Sequence, residues 1–179
     1  MGELIAVVSG KGGTGKTSVC AGLAAALAET GKQVLCVDCD VGLRNLDISL
    51  GMSECGSLSF LDVAEYGYEL ENAPKSSIYP TLSFLTAPMN RSPEEISTDS
   101  FIRLFRQARE RFDYIFLDAP AGVDAGFRLV CTVADRFLLV TGPGPAAVRD
   151  AARVGELLEL AKHLMRLMDP AAKERWDGA

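Results

Sequence analysis

Eight residues near the start of the chain carry its most specific chemistry. Gly10-Lys11-Gly12-Gly13-Thr14-Gly15-Lys16-Thr17 has the spacing G-x-x-x-x-G-K-[ST]. The glycines let backbone N–H groups turn inward around anionic oxygens without interference from a Cβ. Lys16 places a point charge on the β- and γ-phosphates of a nucleotide, and Thr17 offers a hydroxyl to Mg²⁺. Ser18 follows in the first turn of a helix whose N-terminus faces the same anions. The chemistry implied is the binding of a phosphate chain together with Mg²⁺.

Three carboxylates and a glycine extend that site. Asp38 and Asp40 follow an apolar run over residues 33–37, and Asp118 ends the apolar run Tyr114-Ile115-Phe116-Leu117. In an open α/β sheet the carboxyl ends of the strands face the ligand crevice. Two carboxylates beside a Mg²⁺-nucleotide can hold metal-bound waters or orient the attacking water. Asp118 is placed to bind Mg²⁺ through water, and Gly122 suits a backbone N–H that must approach a γ-phosphate. Cys36 and Cys39 read formally as C-x-x-C, but residues three apart on a strand point to opposite faces and no second ligand pair follows. No zinc or redox role is expected there.

These groups need strands and helices to hold them. Residues 3–8 read as a strand, the Ala-rich stretch Thr17 to Thr30 as a helix stopped by Gly31, and residues 33–37 as a second strand. The unit is βαβ, so its strands pair in parallel. Residues 40–57, with Gly42, Gly51 and Gly56, read as an irregular functional loop. A short helix is expected over 58–65 and a strand over 82–86. Ser92-Pro93-Glu94-Glu95 has a capping residue, Pro at the first helical position and Glu at the third, so a helix should start there. Phe101, Leu104, Phe105, Ala108 and Phe112 then recur at helical spacing. Strands over 114–117 and 137–140 and a last helix from about Ala146 to Met168 complete the pattern. Strands that are apolar on both faces and alternate with helices fit a parallel sheet between two helical layers.

Composition narrows the function classes. The chain has 179 residues, enough for one domain, and 18 Lys+Arg against 24 Asp+Glu give a net charge of −6. Such acidity offers no global attraction for nucleic acid, and none is expected as a partner. No run of 18 apolar residues is present, so no transmembrane helix is expected. The N-terminus lacks a basic signal region, and five cysteines, an odd count, read as reduced thiols in a cytoplasm. Leu157, Leu160, Ala161, Leu164, Met165 and Met168 form an apolar stripe expected to pack on the sheet. His163 needs no catalytic role.

Lys-Gly-Gly-Thr-Gly-Lys-Thr (residues 11–17) resembles the deviant Walker A loop of the MinD/ParA/Mrp class of ATPases. Gly42-Leu43-Arg44-Asn45-Leu46-Asp47 resembles the switch I region of the MinD branch. Residues 112–122, Phe-Asp-Tyr-Ile-Phe-Leu-Asp-Ala-Pro-Ala-Gly, resemble its Walker B strand and switch II. The resemblance implies a three-layer α/β P-loop NTPase with a mostly parallel sheet, taking ATP or ADP with Mg²⁺. It implies that Lys11 reaches across an ATP-bound homodimer to the partner's phosphates. It also implies that Asp40 orients the hydrolytic water, that Asp38 supports the Mg²⁺ shell and that Asn45 lies near the nucleotide. The implied partners are a division inhibitor, a topological activator and the inner membrane surface. The implied location is cytoplasmic, peripheral to the inner face of the cell membrane, and the implied role is placement of the division septum.

The resemblance runs from about Met1 to Leu160. The family commonly has Asn-Pro-Glu where this chain has Gly142-Pro143-Gly144. Its later strands, which contact the base, and its amphipathic tail have no counterpart here. Residues 1–179 are therefore expected to form one ATPase domain without those parts. Two other readings remain open: a ParA-like or flagellar-number ATPase, and a nucleotide-binding module without full turnover.

Overall fold

A computed structural model describes residues 1–41 and 43–168 of the chain. Five strands, β1 (Glu3–Val8), β2 (Val34–Asp38), β3 (Leu82–Leu85), β4 (Tyr114–Asp118) and β5 (Arg136–Leu139), form one sheet. Its order is β3-β2-β4-β1-β5 and every pairing is parallel. Among the described residues six α-helices connect or cover them: α1 (Lys16–Glu29), α2 (Leu46–Ser49), α3 (Phe60–Glu65), α4 (Thr98–Arg111), α5 (Ala125–Cys131) and α6 (Pro145–Met168). The expected α/β fold is the observed one.

Alternation along the strands divides the core in two. Leu4, Ala6 and Val8 of β1, with Leu35 and Val37 of β2, pack with α3, α4, α5 and α6. Val7, Val34, Cys36 and Phe116 face the opposite side, where α1 and α2 lie. That second layer is thin because α1 presents Cys20, Ala21, Ala24 and Ala28, small side chains that let a helix lie close to the sheet. The first layer is thicker. Phe101 of α4 meets Phe60 edge-on at 5.5 Å and Phe105 at 4.7 Å between ring centroids, the geometry aromatic quadrupoles favour.

Three local expectations change. The capping signature at Ser92 does form, with the Ser92 N–H donating to Glu95 Oε2 at 2.7 Å, but it closes only a 3₁₀ turn over Pro93–Glu95. Ile96 is then extended and buried, and α4 starts afresh with Ser97 as its cap. Burying Ile96 outweighs continuing the helix. Among the described side chains of α6, Ala151, Val154 and Leu158 are buried, with Ala161 packed against the same core, whereas Leu160 is exposed. Ala161 thus packs as expected, Leu157 is half-buried and Leu160 faces away, while the side chains of His163, Leu164, Met165 and Met168 lie outside those described. Residues 46–49 and 125–131 form α2 and α5, each too short for a helical period to be legible.

A largely buried ion pair ties the layers together. Arg109 of α4 donates to Asp135 from both terminal nitrogens, at 2.5 and 2.8 Å, and also to the carbonyls of Gly2 and Val133. Asp135 Oδ2 in turn accepts the Leu4 N–H at 2.8 Å. The start of β1, the end of α4 and the approach to β5 thus share one knot. Removing one partner leaves a buried charge uncompensated, so Arg109→Leu is expected to destabilise the fold by about 3–5 kcal/mol in urea unfolding. A loss of only a few tenths would contradict this account of the knot.

Candidate nucleotide site

The phosphate loop spans the gap between β1 and α1 at the carboxyl end of the sheet. Gly13 and Gly15 have φ of 76° and 86°, a left-handed backbone in which a side chain is strained. A Cβ on Gly12, Gly13 or Gly15 would meet nothing within 4 Å, so the protein itself leaves this space open. Gly10 differs. A Cβ there would lie 2.8 Å from the Asp150 backbone of α6. The first glycine of the motif is thus a packing residue, and the later ones shape the cradle.

The helix end behind the cradle is open to anions. Gly15 caps α1 without a side-chain hydrogen bond, and no acid lies in the first turn. The first N–H groups of a helix have no partner within it, and they meet the positive end of the helix dipole. Thr14 Oγ1 is a buried hydroxyl without a hydrogen-bond partner. Such orphaned groups are uncommon in native structures. A phosphate oxygen in the cradle fits this donor set.

The loop walls a cleft of about 290 Å³. Gly12, Gly13, Thr14, Gly15, Lys16, Thr17 and Ser18 line one side; Asp40, Leu43 and Asn45, from the loop after β2, line the other. The sequence-predicted residues are therefore brought together, with four exceptions in detail. Lys11 is exposed and does not line the cleft. Asp38 and Asp118 sit below it, 1% and 2% exposed, side by side in the β2–β4 register. Gly122, at φ 90°, gives its N–H to the Ser9 carbonyl at 3.1 Å. Ser9, Leu43, Ser49 and Ala121 line the cleft without having been singled out from sequence. Ser9 adjoins the motif and could have been found that way; Ser49 is brought in only by the turn of α2.

Two interactions organise the floor. Lys16 Nζ donates to Asp118 Oδ1 at 2.5 Å, both side chains being almost fully buried. Asp38 accepts N–H groups from Asp40 at 2.9 Å and from Asn45 and Leu46 at 3.2 Å each. Its carboxylate thereby fixes the course of the loop that carries Asp40 and Asn45 along the cleft. Burial raises the Asp38 carboxyl to about 6, against the opposing effect of the hydrogen bonds from Asp40 and Leu46. Nearby Asp118 and Asp40 raise it further.

The donor set also suits Mg²⁺. Thr17 offers a hydroxyl at the cleft, and Asp38 and Asp118 place two carboxylates beneath it. Hard oxygen ligands, with several retained waters, are what this ion prefers.

Comparison with known proteins identifies the family. Residues 5–170 match the CobQ/CobB/MinD/ParA nucleotide binding domain. The chain belongs to this family. Among curated relatives, the septum site-determining protein MinD of Synechocystis is 44% identical over 160 residues, which is 89% of this chain and 60% of the relative. The structure of the MinC:MinD cell division protein complex of Aquifex aeolicus matches with a TM-score of 0.79 at 37% identity, over 88% of this chain and 63% of that one. MinD of Pyrococcus horikoshii complexed with Mg-ADP matches with a TM-score of 0.77 at 30% identity, over 90% and 66%. This family member thus spans about 60% of the length of the curated relatives it matches.

Two predictions follow from the floor and the wall. The folded Asp38 carboxyl lies above its unfolded value, so protonation favours the ligand-free fold. This contribution is fully present below about pH 3.8 and is lost as pH rises through about 6. Carboxyl-carbon NMR of the ligand-free protein should show an Asp38 midpoint near 6; a midpoint near 4 would contradict the burial argument. Gly10→Ala should cost about 1–3 kcal/mol of stability through the contact with Asp150, whereas a neutral substitution would show that α6 yields easily.

Proposed function

We propose that this chain is the nucleotide-binding part of a MinD-type ATPase switch. It takes ATP with Mg²⁺, dimerises face to face, and helps place the division septum through ATP-dependent membrane association. The observation that carries the reading is the cradle: an open helix N-terminus, the orphaned Thr14 hydroxyl and Lys16 together on one cleft. Identity to MinD proteins and the Mg-ADP complex of one of them support the choice of nucleotide and branch.

The residues divide the work. Gly12, Gly13, Gly15 and Thr14 cradle the phosphates through backbone N–H groups and the free hydroxyl. Lys16 leaves Asp118 to bind the β- and γ-phosphates. Thr17 would hold Mg²⁺, with Asp118 and Asp38 holding its waters; when bound, the ion neutralises charge developing on the phosphates. Asp40 orients a water for attack on the γ-phosphorus. The new P–O bond forms as the bond to the β–γ bridging oxygen breaks, giving ADP and phosphate. Lys11, exposed and clear of its own cleft, serves the partner's phosphates in the dimer. Asn45 lies along the nucleotide, and Gly122 exchanges its bond to Ser9 for one to the γ-phosphate.

The proposed partners are a second copy, a division inhibitor such as the MinC bound in the Aquifex complex, a topological activator and the inner membrane surface. No described helix is long and apolar enough to cross a membrane. A second reading, binding without full turnover by this span alone, takes its support from the length shared with the relatives.

Turnover assays test both readings. Purified chain should bind ATP and hydrolyse it slowly, faster with liposomes. Asp40→Ala should retain binding and lose about a hundredfold or more in turnover, within the range for a lost water-activating group. Lys16→Ala should lose tight binding, with circular dichroism showing that the fold survives. Normal hydrolysis by either variant would overturn the role given to that residue; binding without turnover in the parent would favour the second reading.

A further inference from the structure

A second cleft lies on the far side of the loop that walls the nucleotide site. It measures about 300 Å³, similar to the first, and is lined by Arg44, Ser57, Ser59, Tyr66, Asn90 and Arg91 among others. Its base is Thr86, just beyond β3. No part of the proposed ATPase cycle uses it.

The arginines are the informative feature. Arg44 is half-buried, and its hydrogen bonds go to neutral hydroxyls: Nε to Thr86 Oγ1 at 2.6 Å and one terminal nitrogen to Ser57 Oγ at 3.3 Å. Arg91 donates to the Tyr66 hydroxyl at 3.0 Å. Among the described residues neither arginine has a carboxylate within ion-pair distance. Two guanidiniums sharing a cleft without paired acids stand out in a chain of net charge −6. Guanidinium forks match carboxylate and phosphate oxygens in two-point fashion, and partial burial strengthens the match.

The surroundings both limit and favour an anion. Asp62 also lines the cleft, but its Oδ2 already accepts the Ser59 N–H and hydroxyl in the capping box of α3. Glu65 and Glu95 lie near Arg91 and offset part of its charge. Arg44, further in, is the stronger anchor. Ser57, Ser59 and Asn90 add neutral donors, while exposed Met89 and Tyr66 give an apolar rim for the body of a ligand.

We propose that this cleft binds the carboxylate or phosphate group of a small ligand, held by Arg44 and Arg91. Such binding would act on the first site. Arg44 sits between Leu43 and Asn45, both lining the nucleotide cleft, and the Asn45 N–H is held by Asp38. A ligand that pulls Arg44 away from Thr86 shifts the segment carrying Asn45. This second step rests on the nucleotide reading above; the binding itself does not.

Two-dimensional NMR of the full chain tests the proposal, with inorganic phosphate and succinate as probes at constant ionic strength set by chloride. The Arg44 side-chain Nε–H and the Asn90 amide should shift saturably, and Arg44→Gln and Arg91→Gln should each weaken binding about tenfold, the loss expected for a charge-assisted hydrogen bond. Arg91 is exposed, so its variant is not expected to disturb the fold. Saturation by phosphate alone identifies a phosphoryl ligand, and by succinate alone a carboxylate ligand. Shifts confined to the Gly12 and Gly13 amides would overturn the second site while supporting the first. Linear shifts that match chloride, or affinities unchanged in both variants, would also overturn it. If the Arg44 signal saturates and the loop glycines never respond to Mg-ADP, the nucleotide reading fails and this one stands.

Discussion

The buried pair between Lys16 and Asp118 is the constraint around which the site is arranged. Taking both charges out of water is costly, and their close contact must offset that cost. Neither partner can leave alone without stranding the other. In the proposed cycle both leave together, Lys16 to phosphate and Asp118 to the waters of Mg²⁺. Each departure makes the other easier. In the proposed cycle the pair thus couples nucleotide to metal, with Lys16 placed by the start of α1 and Asp118 by the register of β4 with its neighbours.

That register depends on β4 lying between β2 and β1. It sets Asp118 beside Asp38, so two buried carboxylates share the floor. One is neutralised by Lys16; the other is satisfied by three backbone N–H groups and titrates unusually high. The difference suits two tasks. Asp118 is held by Lys16, whereas Asp38 shapes the loop bearing Asp40 and Asn45. The small side chains of α1 keep its N-terminus near this floor, and the tight contact of Gly10 with Asp150 seats α6 against the same loop.

Much of this was legible because it depends on local rules. The phosphate loop, the strand-end acids and the alternation of strand and helix follow from spacing and residue type at Gly10 to Thr17, Asp38 and Asp118. What was not legible depends on tertiary competition. The capping signature at Ser92 is sound, yet burial of Ile96 ends it after one turn. Ser49 joins the cleft only because α2 turns it there, and Gly122 spends its N–H on Ser9. Arg44 could be read as part of a switch-like run, but that its guanidinium meets neutral hydroxyls and, among the described residues, no carboxylate is visible only once Thr86 and Ser57 are placed beside it.

The central claim is the coupled exchange of the Lys16–Asp118 pair. Calorimetric titration of ADP with and without Mg²⁺, in the parent and in Asp118→Asn, tests it most directly. Mg²⁺ should strengthen ADP binding clearly in the parent and much less in the variant. In the variant Lys16 is also freed, so ADP without metal should bind at least as tightly as it does to the parent. An unchanged Mg²⁺ effect, together with weaker metal-free binding in Asp118→Asn, would contradict the exchange.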